Sequence, residues 1–214
     1  MNQGIKIWDI AIRTFHWSLV ICFFIAYVSG DEDNLLHIYS SYIILGLLGF
    51  RVVWGFIGTK YARFSNFIYG LKTGLQYLKS IILGHPQYYL GHNPVGGWMI
   101  ILLLVFISMT SWTGLELYAR EGKGPLASVE ASLIATAQAN GQKKENDDDE
   151  HHDRENEQGH EEWLEELHEG LAEFTLLLVF IHIGGVLVAS WLHRENLTKS
   201  MWTGYKTPPD ELER

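Results

Sequence analysis

His168 and His182 stand fourteen residues apart in EELHEGLAEFTLLLVFIHIGGVLVASWLHREN, residues 165–196, which read as one long and mostly apolar helix. A helix turns about 100° and rises about 1.5 Å per residue, so both imidazoles point within roughly 40° of one direction, about 21 Å apart in depth. Polar, ionisable side chains inside a bilayer are costly, face the bundle interior and mark function. Two further histidines lie in apolar stretches, His16 in RTFHW and His37 in LLHIYSSY. If the chain crosses a membrane four times, His37 pairs in depth with His168, and His16 with His182. Histidine is an axial ligand for haem iron, and two per iron leave no open position, which suits electron transfer rather than oxygen chemistry. Zinc instead gathers about four nitrogen or sulfur ligands at one depth. The stacked pairs therefore point to two b-type haems. The chain's one cysteine, Cys22, offers no Cys-x-x-Cys-His attachment, so such haems would be held noncovalently.

The 214 residues are 47% apolar with a mean hydropathy of +0.02, an average of apolar blocks and one strongly acidic block. Four blocks reach the roughly 20 residues needed to cross about 30 Å of hydrocarbon: about Ile12 to Ser29, Leu36 to Ile57, Val95 to Tyr118 and Gly170 to Leu192. We read them as four transmembrane helices rather than the core of a soluble domain. A cleaved signal peptide is disfavoured at the first block, because its start is weakly basic and cleavage would discard His16. Lys6 and Arg13 flank that block, Arg51, Lys60, Arg63, Lys72 and Lys79 lie in or beside the connection between the second and third, and Arg194, Lys199 and Lys206 follow the fourth. Under the positive-inside rule both termini and the 58–94 loop are cytoplasmic, as expected for a multi-pass protein of a bacterial inner membrane. The net charge of −9 gives no reason to expect nucleic acid as a partner.

Residues 1–214 thus form one membrane domain with two elaborations. In the 58–94 loop, FIYGLKTGLQYLKSIILG has helical apolar spacing interrupted by Lys72 and Lys79, as an interfacial helix would. The 119–162 connection is an acidic periplasmic loop, expected to be partly disordered and helical from about Gly159. Thirteen of the chain's 25 acids lie from Glu145 to Glu169, against one base, Arg154. This run is either simply solvated or a salt-sensitive dock for a basic periplasmic partner. His151, His152 and His160 lack a fixed metal-ligand spacing. Gly46, Gly49, Gly184 and Gly185 would let helices or a flat macrocycle approach closely. Arg13, Arg51 and Arg194 are candidates to pair with the inner haem's propionates or to anchor the topology. His193 falls nearly on the His182 face at the membrane edge. His85 and His92 lie in the turn-rich GHPQYYLGHNPVGGW. The third span has no histidine and reads as a wall.

Taken together, His16-Trp17, LHIYSSYIILGLLGFRVVWGFIG, YARFSNF, YLGHNPVGG, the His168/His182 spacing and HRENLTKSMWTG resemble the bacterial cytochrome b561 and nickel–iron hydrogenase cytochrome b family almost end to end. The resemblance implies an all-α membrane protein, a four-transmembrane-helix bundle enclosing two haems b. It implies His16, His37, His168 and His182 as the iron ligands, with electrons passing between the membrane quinone pool and a periplasmic partner. YARFSNF and GHNPVGG look most like the branch that serves small periplasmic c-type cytochromes. The alternatives are the anchor cytochrome of a hydrogenase or dehydrogenase and, in another class, a metal transporter using the membrane histidines. Quinol oxidation would also release protons, for which Glu116 and Glu173 are candidate acceptors. Whether the chain is itself a quinol oxidoreductase, and in which direction electrons flow, stays open.

Overall fold

The computed structural model describes residues 4–30, 34–84, 87–127 and 147–206, with side chains in the last range at 159 and from 162 onward. Its order is β1 (Ile5–Lys6), α1 (Ile10–Val28), α2 (Leu35–Ile57), a 3-10 turn (Phe64–Asn66), α3 (Leu71–Ile82), α4 (Pro94–Arg120), α5 (Asp147–Leu192), α6 (Leu197–Thr203) and β2 (Tyr205–Lys206). Among the described residues, four helical stretches are long and apolar enough to cross a membrane: Ile10–Val28, Leu35–Ile57, Pro94–Arg120 and Glu162–Leu192. The chain is an all-α, multi-pass membrane protein. Its backbone is already helical at Asp147, earlier than the Gly159 start expected from the acidic composition. The rest of the acidic connection, residues 128–146, lies outside the described residues.

The chain forms two compact units, residues 1–105 with 176–214, and residues 106–175. In the first, α1 and α2 pack on each other. Asp9 caps α1 by accepting a 2.8 Å hydrogen bond from the Ile12 N–H. Its other oxygen accepts from the Thr59 hydroxyl at 2.5 Å and from Trp54 Nε1 at 3.3 Å, which ties the start of α1 to the end of α2. Burial pushes this carboxyl up, but hydrogen bonds from Thr59, Ile12, Trp54 and Ala11 outweigh it and hold Asp9 below the ordinary carboxylate value.

The same end of the unit is closed by pieces far apart in sequence. Asn196 caps α6, and Gly204 ends it with a left-handed φ of 90° that a side chain would strain. The Gly204 carbonyl then accepts from the Ile7 and Trp8 N–H groups at 2.9 and 3.1 Å, and β1 pairs antiparallel with β2. Ile7, Trp8, Ile12 and Ala62 form a buried cluster there. Asn93 accepts from the Gly96 N–H at 2.7 Å and starts α4. A Cβ at Gly97 would overlap the Phe67 carbonyl, and one at Gly74 the Trp98 ring. Trp98 donates to the Tyr69 carbonyl at 2.9 Å. YARFSNF and GHNPVGG are thus two halves of one interlocked cap. On α3, Leu71, Leu75, Leu78 and Ile82 make an exposed apolar stripe, as expected of an interfacial helix.

In the second unit the later part of α4 meets the earlier part of α5. Thr175 is fully buried, its hydroxyl donating to the Leu171 carbonyl at 2.7 Å, and the Phe106 and Phe174 rings lie 4.7 Å apart.

Candidate functional site

The histidine rings are held by recognisable means. In the first unit, His37 Nδ1 lies 2.9 Å from the Ala26 carbonyl in the last turns of α1. A carbonyl only accepts, so Nδ1 carries the proton and Nε2 keeps its lone pair. In the second unit, His168 Nδ1 lies 2.9 Å from Thr113 Oγ1. The Thr113 hydroxyl is within 3.0 Å of the Thr110 carbonyl and 3.2 Å of the Met109 carbonyl, and donates to them. Its oxygen is therefore left to accept from His168 Nδ1. This is the arrangement in which an imidazole serves a metal, its other nitrogen fixed by an acceptor. Gly114 completes it, since a Cβ there would sit 2.8 Å from His168 Cε1.

His16 and His182, both in the first unit, are partly buried and near enough to interact electrostatically. His16 Nδ1 is buried without a hydrogen-bond partner, and its ring meets Trp17 edge-on at 5.2 Å. Around Gly46, Gly49, Gly184 and Gly185 an added Cβ would meet nothing within 4 Å among the described residues. Open space thus lies beside these glycines, which present flat, bare backbone. Arg51 is 4% exposed, with its guanidinium 4.7 Å from the Phe64 ring and 5.5 Å from Phe67. Its Nη1 is buried and unpartnered, a cationic donor of the kind that carboxylates pair with. Arg13 instead donates from Nη2 to the Trp202 carbonyl. Imidazoles held through Nδ1, glycines with open space beside them and a buried guanidinium with an unpartnered Nη1 fit a haem with its propionates.

Beside Arg51 lies His92, which composition had placed only in a turn-rich loop. Its ring stacks at a tilt on Trp8 and Phe67, with centroids 4.6 and 5.0 Å away, and its Nδ1 is buried without a partner. Burial first, then the charges of Arg51 and Lys206 and those of His182 and His16, push its pKa down to about 3. Nearby, Lys206 and Glu195 form a buried ion pair at 3.4 Å, 6% and 9% exposed. Tyr88 donates to the other Glu195 oxygen at 2.6 Å, and burial with this bond pushes its phenol well up. Tyr77 lies 3.4 Å from His193 Nε2, its phenol pushed up to about 12 by burial and by Tyr89.

Other expected residues fall less centrally. Glu116 accepts from Arg120 one turn on at 3.2 Å, and Glu173 is exposed. Cys22 is buried in packing. His85 and the side chains of His151, His152 and His160 lie outside the described residues. Among the described residues no three metal-ligating side chains cluster. The third span is more than a wall, because α4 supplies both Thr113 and Gly114 to His168.

A family model described as prokaryotic cytochrome b561 matches residues 7–204. No curated protein and no solved structure matches the chain.

Proposed function

The chain belongs to the prokaryotic cytochrome b561 family, membrane b-type cytochromes of electron transfer, and from that premise we propose that it carries two haems b between the quinone pool and a periplasmic partner. The reading rests above all on His37 and His168, whose rings are both oriented through Nδ1 at 2.9 Å, as metal-bound imidazoles are. His37 with His168 would ligate one iron and His16 with His182 the other. Bound haem supplies a one-electron couple, and bis-histidine ligation leaves no position for oxygen. Arg51 is the residue best suited to hold propionates of the haem at His16 and His182, because its charge is buried and partly unpaired. The basic residues at this end favour placing it, with both termini, on the cytoplasmic side.

A periplasmic c-type cytochrome is the partner favoured by the acidic run from Glu145 to Glu169, which would attract a basic surface. Glu116 and Glu173 would serve quinol protons only if quinol were oxidised at their end.

The test is haem b per polypeptide in the detergent-purified protein, by pyridine haemochrome, for the parent and single histidine variants. Two haems are expected in the parent. His16→Ala or His182→Ala should lose one and His37→Ala or His168→Ala the other, with different spectral components missing. One haem in the fully loaded parent, or two in every variant, would overturn the reading.

A further inference from the structure

The twelve residues of α3, Leu71–Ile82, make about 18 Å of helix, too short to cross the roughly 30 Å of a bilayer's hydrocarbon. The helix sits where spans end. A Cβ at Gly74 would overlap the Trp98 ring in the first turns of α4, and the Tyr77 hydroxyl lies 3.4 Å from His193 Nε2, just past the end of α5. Gly74 and Tyr77 are both buried. These two contacts fix how the helix is rolled about its own axis.

The other faces follow from that roll. Each residue turns the helix about 100°, so Leu71, Leu75, Leu78 and Ile82 fall within about 60° of one another. All four are exposed. Counted from the centre of this stripe, Gly74 and Tyr77 lie about 70° to 130° round to one side, and Lys72 and Lys79 about 70° to 90° round to the other. The exposed Thr73 and Gln76 lie on the side away from the stripe. On a chain that spans the membrane, the stripe therefore enters lipid and the protein grips one flank. The two exposed lysines stand at headgroup depth on the free flank, their stems lying along the acyl boundary.

The chain supplies no acid to neutralise them. No Asp or Glu occurs from residue 34 to residue 115, and among the described residues neither lysine takes part in an ion pair. Topology alone asks for basic residues anywhere in this connection, and it does not ask for both on the flank that the protein leaves open. We propose that α3 is a docking surface for anionic phospholipids, with Lys72 and Lys79 paired to headgroup phosphates and the leucine stripe against the adjoining acyl chains. A zwitterionic headgroup offers the same phosphate with its charge cancelled, so the two ammonium groups, about 10 Å apart along the helix, select lipids of net negative charge.

The full-length protein is reconstituted into phosphatidylcholine nanodiscs holding a trace of photoactivatable phosphatidylglycerol or, in parallel, of the matching phosphatidylcholine probe. Labelled residues are mapped by mass spectrometry. Residues 71–82 should take up the anionic probe in preference to the neutral one, by about fivefold for each lysine at low salt. The preference should collapse at about 1 M NaCl, where the screening length is about 3 Å. Lys72→Gln/Lys79→Gln should label equally with both probes, and Lys72→Arg/Lys79→Arg like the parent. Equal labelling of the parent by the two probes would leave the lysines a topological role only and overturn the proposal. A preference that survives high salt, or survives in the glutamine variant, would overturn it as well. No labelling of α3 by either probe would mean that a second copy of this chain or another protein covers the stripe, which would also overturn it.

Discussion

Gly114→Ala tests the geometry around His168 with a single methyl group. The added Cβ would lie 2.8 Å from His168 Cε1, whereas carbon atoms in good contact are separated by about 3.5 Å or more. The ring must therefore retreat by about 0.7 Å, several times the roughly 0.2 Å by which ligand distances at a metal site vary. That retreat also strains the 2.9 Å hydrogen bond to Thr113. Glycine to alanine inside a helix is otherwise favourable by about 1 kcal/mol, so a loss of cofactor could not be blamed on the backbone. Thr113→Val attacks the same ring differently, removing the acceptor for Nδ1. Removing such an outer partner of a metal-bound histidine typically costs 10- to 100-fold in affinity, about 1.4 to 2.7 kcal/mol. Thr113→Ser keeps the hydroxyl and should restore the parent's behaviour. The assay is haem b per chain with a redox titration of each variant. Gly114→Ala should retain about one haem, the one at His16 and His182, and Thr113→Val should show a weakened or shifted second component. If both variants keep two haems with the parent's potentials, the assignment of His168 as a ligand oriented by α4 is refuted.

Two further outcomes concern the cap. Lys206→Met or Glu195→Gln alone leaves one buried charge without its partner and should lower stability by about 3 to 5 kcal/mol; the double variant should cost less than the sum, as thermal unfolding in detergent would show, and strict additivity would mean that the ion pair is not coupled. His92, with a folded value of about 3 against an ordinary 6.5, binds fewer protons folded than unfolded between those limits. Stability is therefore full above about pH 6.5 and falls as the pH drops toward 3, by at most about 5 kcal/mol at roughly 1.4 kcal/mol per pH unit. His92→Phe should flatten that part of the unfolding curve, and a parallel curve would show that His92 is not the group responsible.

The spans were legible because a bilayer demands a long apolar run whatever packs beside it, and the first observed helix starts at Ile10 where composition suggested Ile12. Side-chain caps account for such small offsets: Asp9 and Asn34 stop the helices just before their apolar runs. The four histidines stood out as candidates because a polar ring in such a run is rare. What holds them was not legible. Thr113 and Gly114 are ordinary residues for a membrane helix, and only their position against α5 gives them a role. The interlocking of YARFSNF with GHNPVGG, and the burial of Lys206 against Glu195, depend on contacts between segments remote in sequence. Hydropathy along one segment carries no information about them.

The two histidine pairs also differ in what surrounds them. His37 and His168 are gripped through Nδ1 by a carbonyl and a hydroxyl, which makes an imidazole a stronger donor to a metal and favours its oxidised form. His16 has no such partner, and its end of the first unit carries the buried cations Arg51 and Lys206, the latter paired with Glu195 and the former compensated only electrostatically by Asp9. A partly compensated positive charge favours the reduced, less positive state of a nearby iron. With a haem at each pair, as proposed, both effects would act in the same sense and place the couple at His16 and His182 at the higher potential of the two.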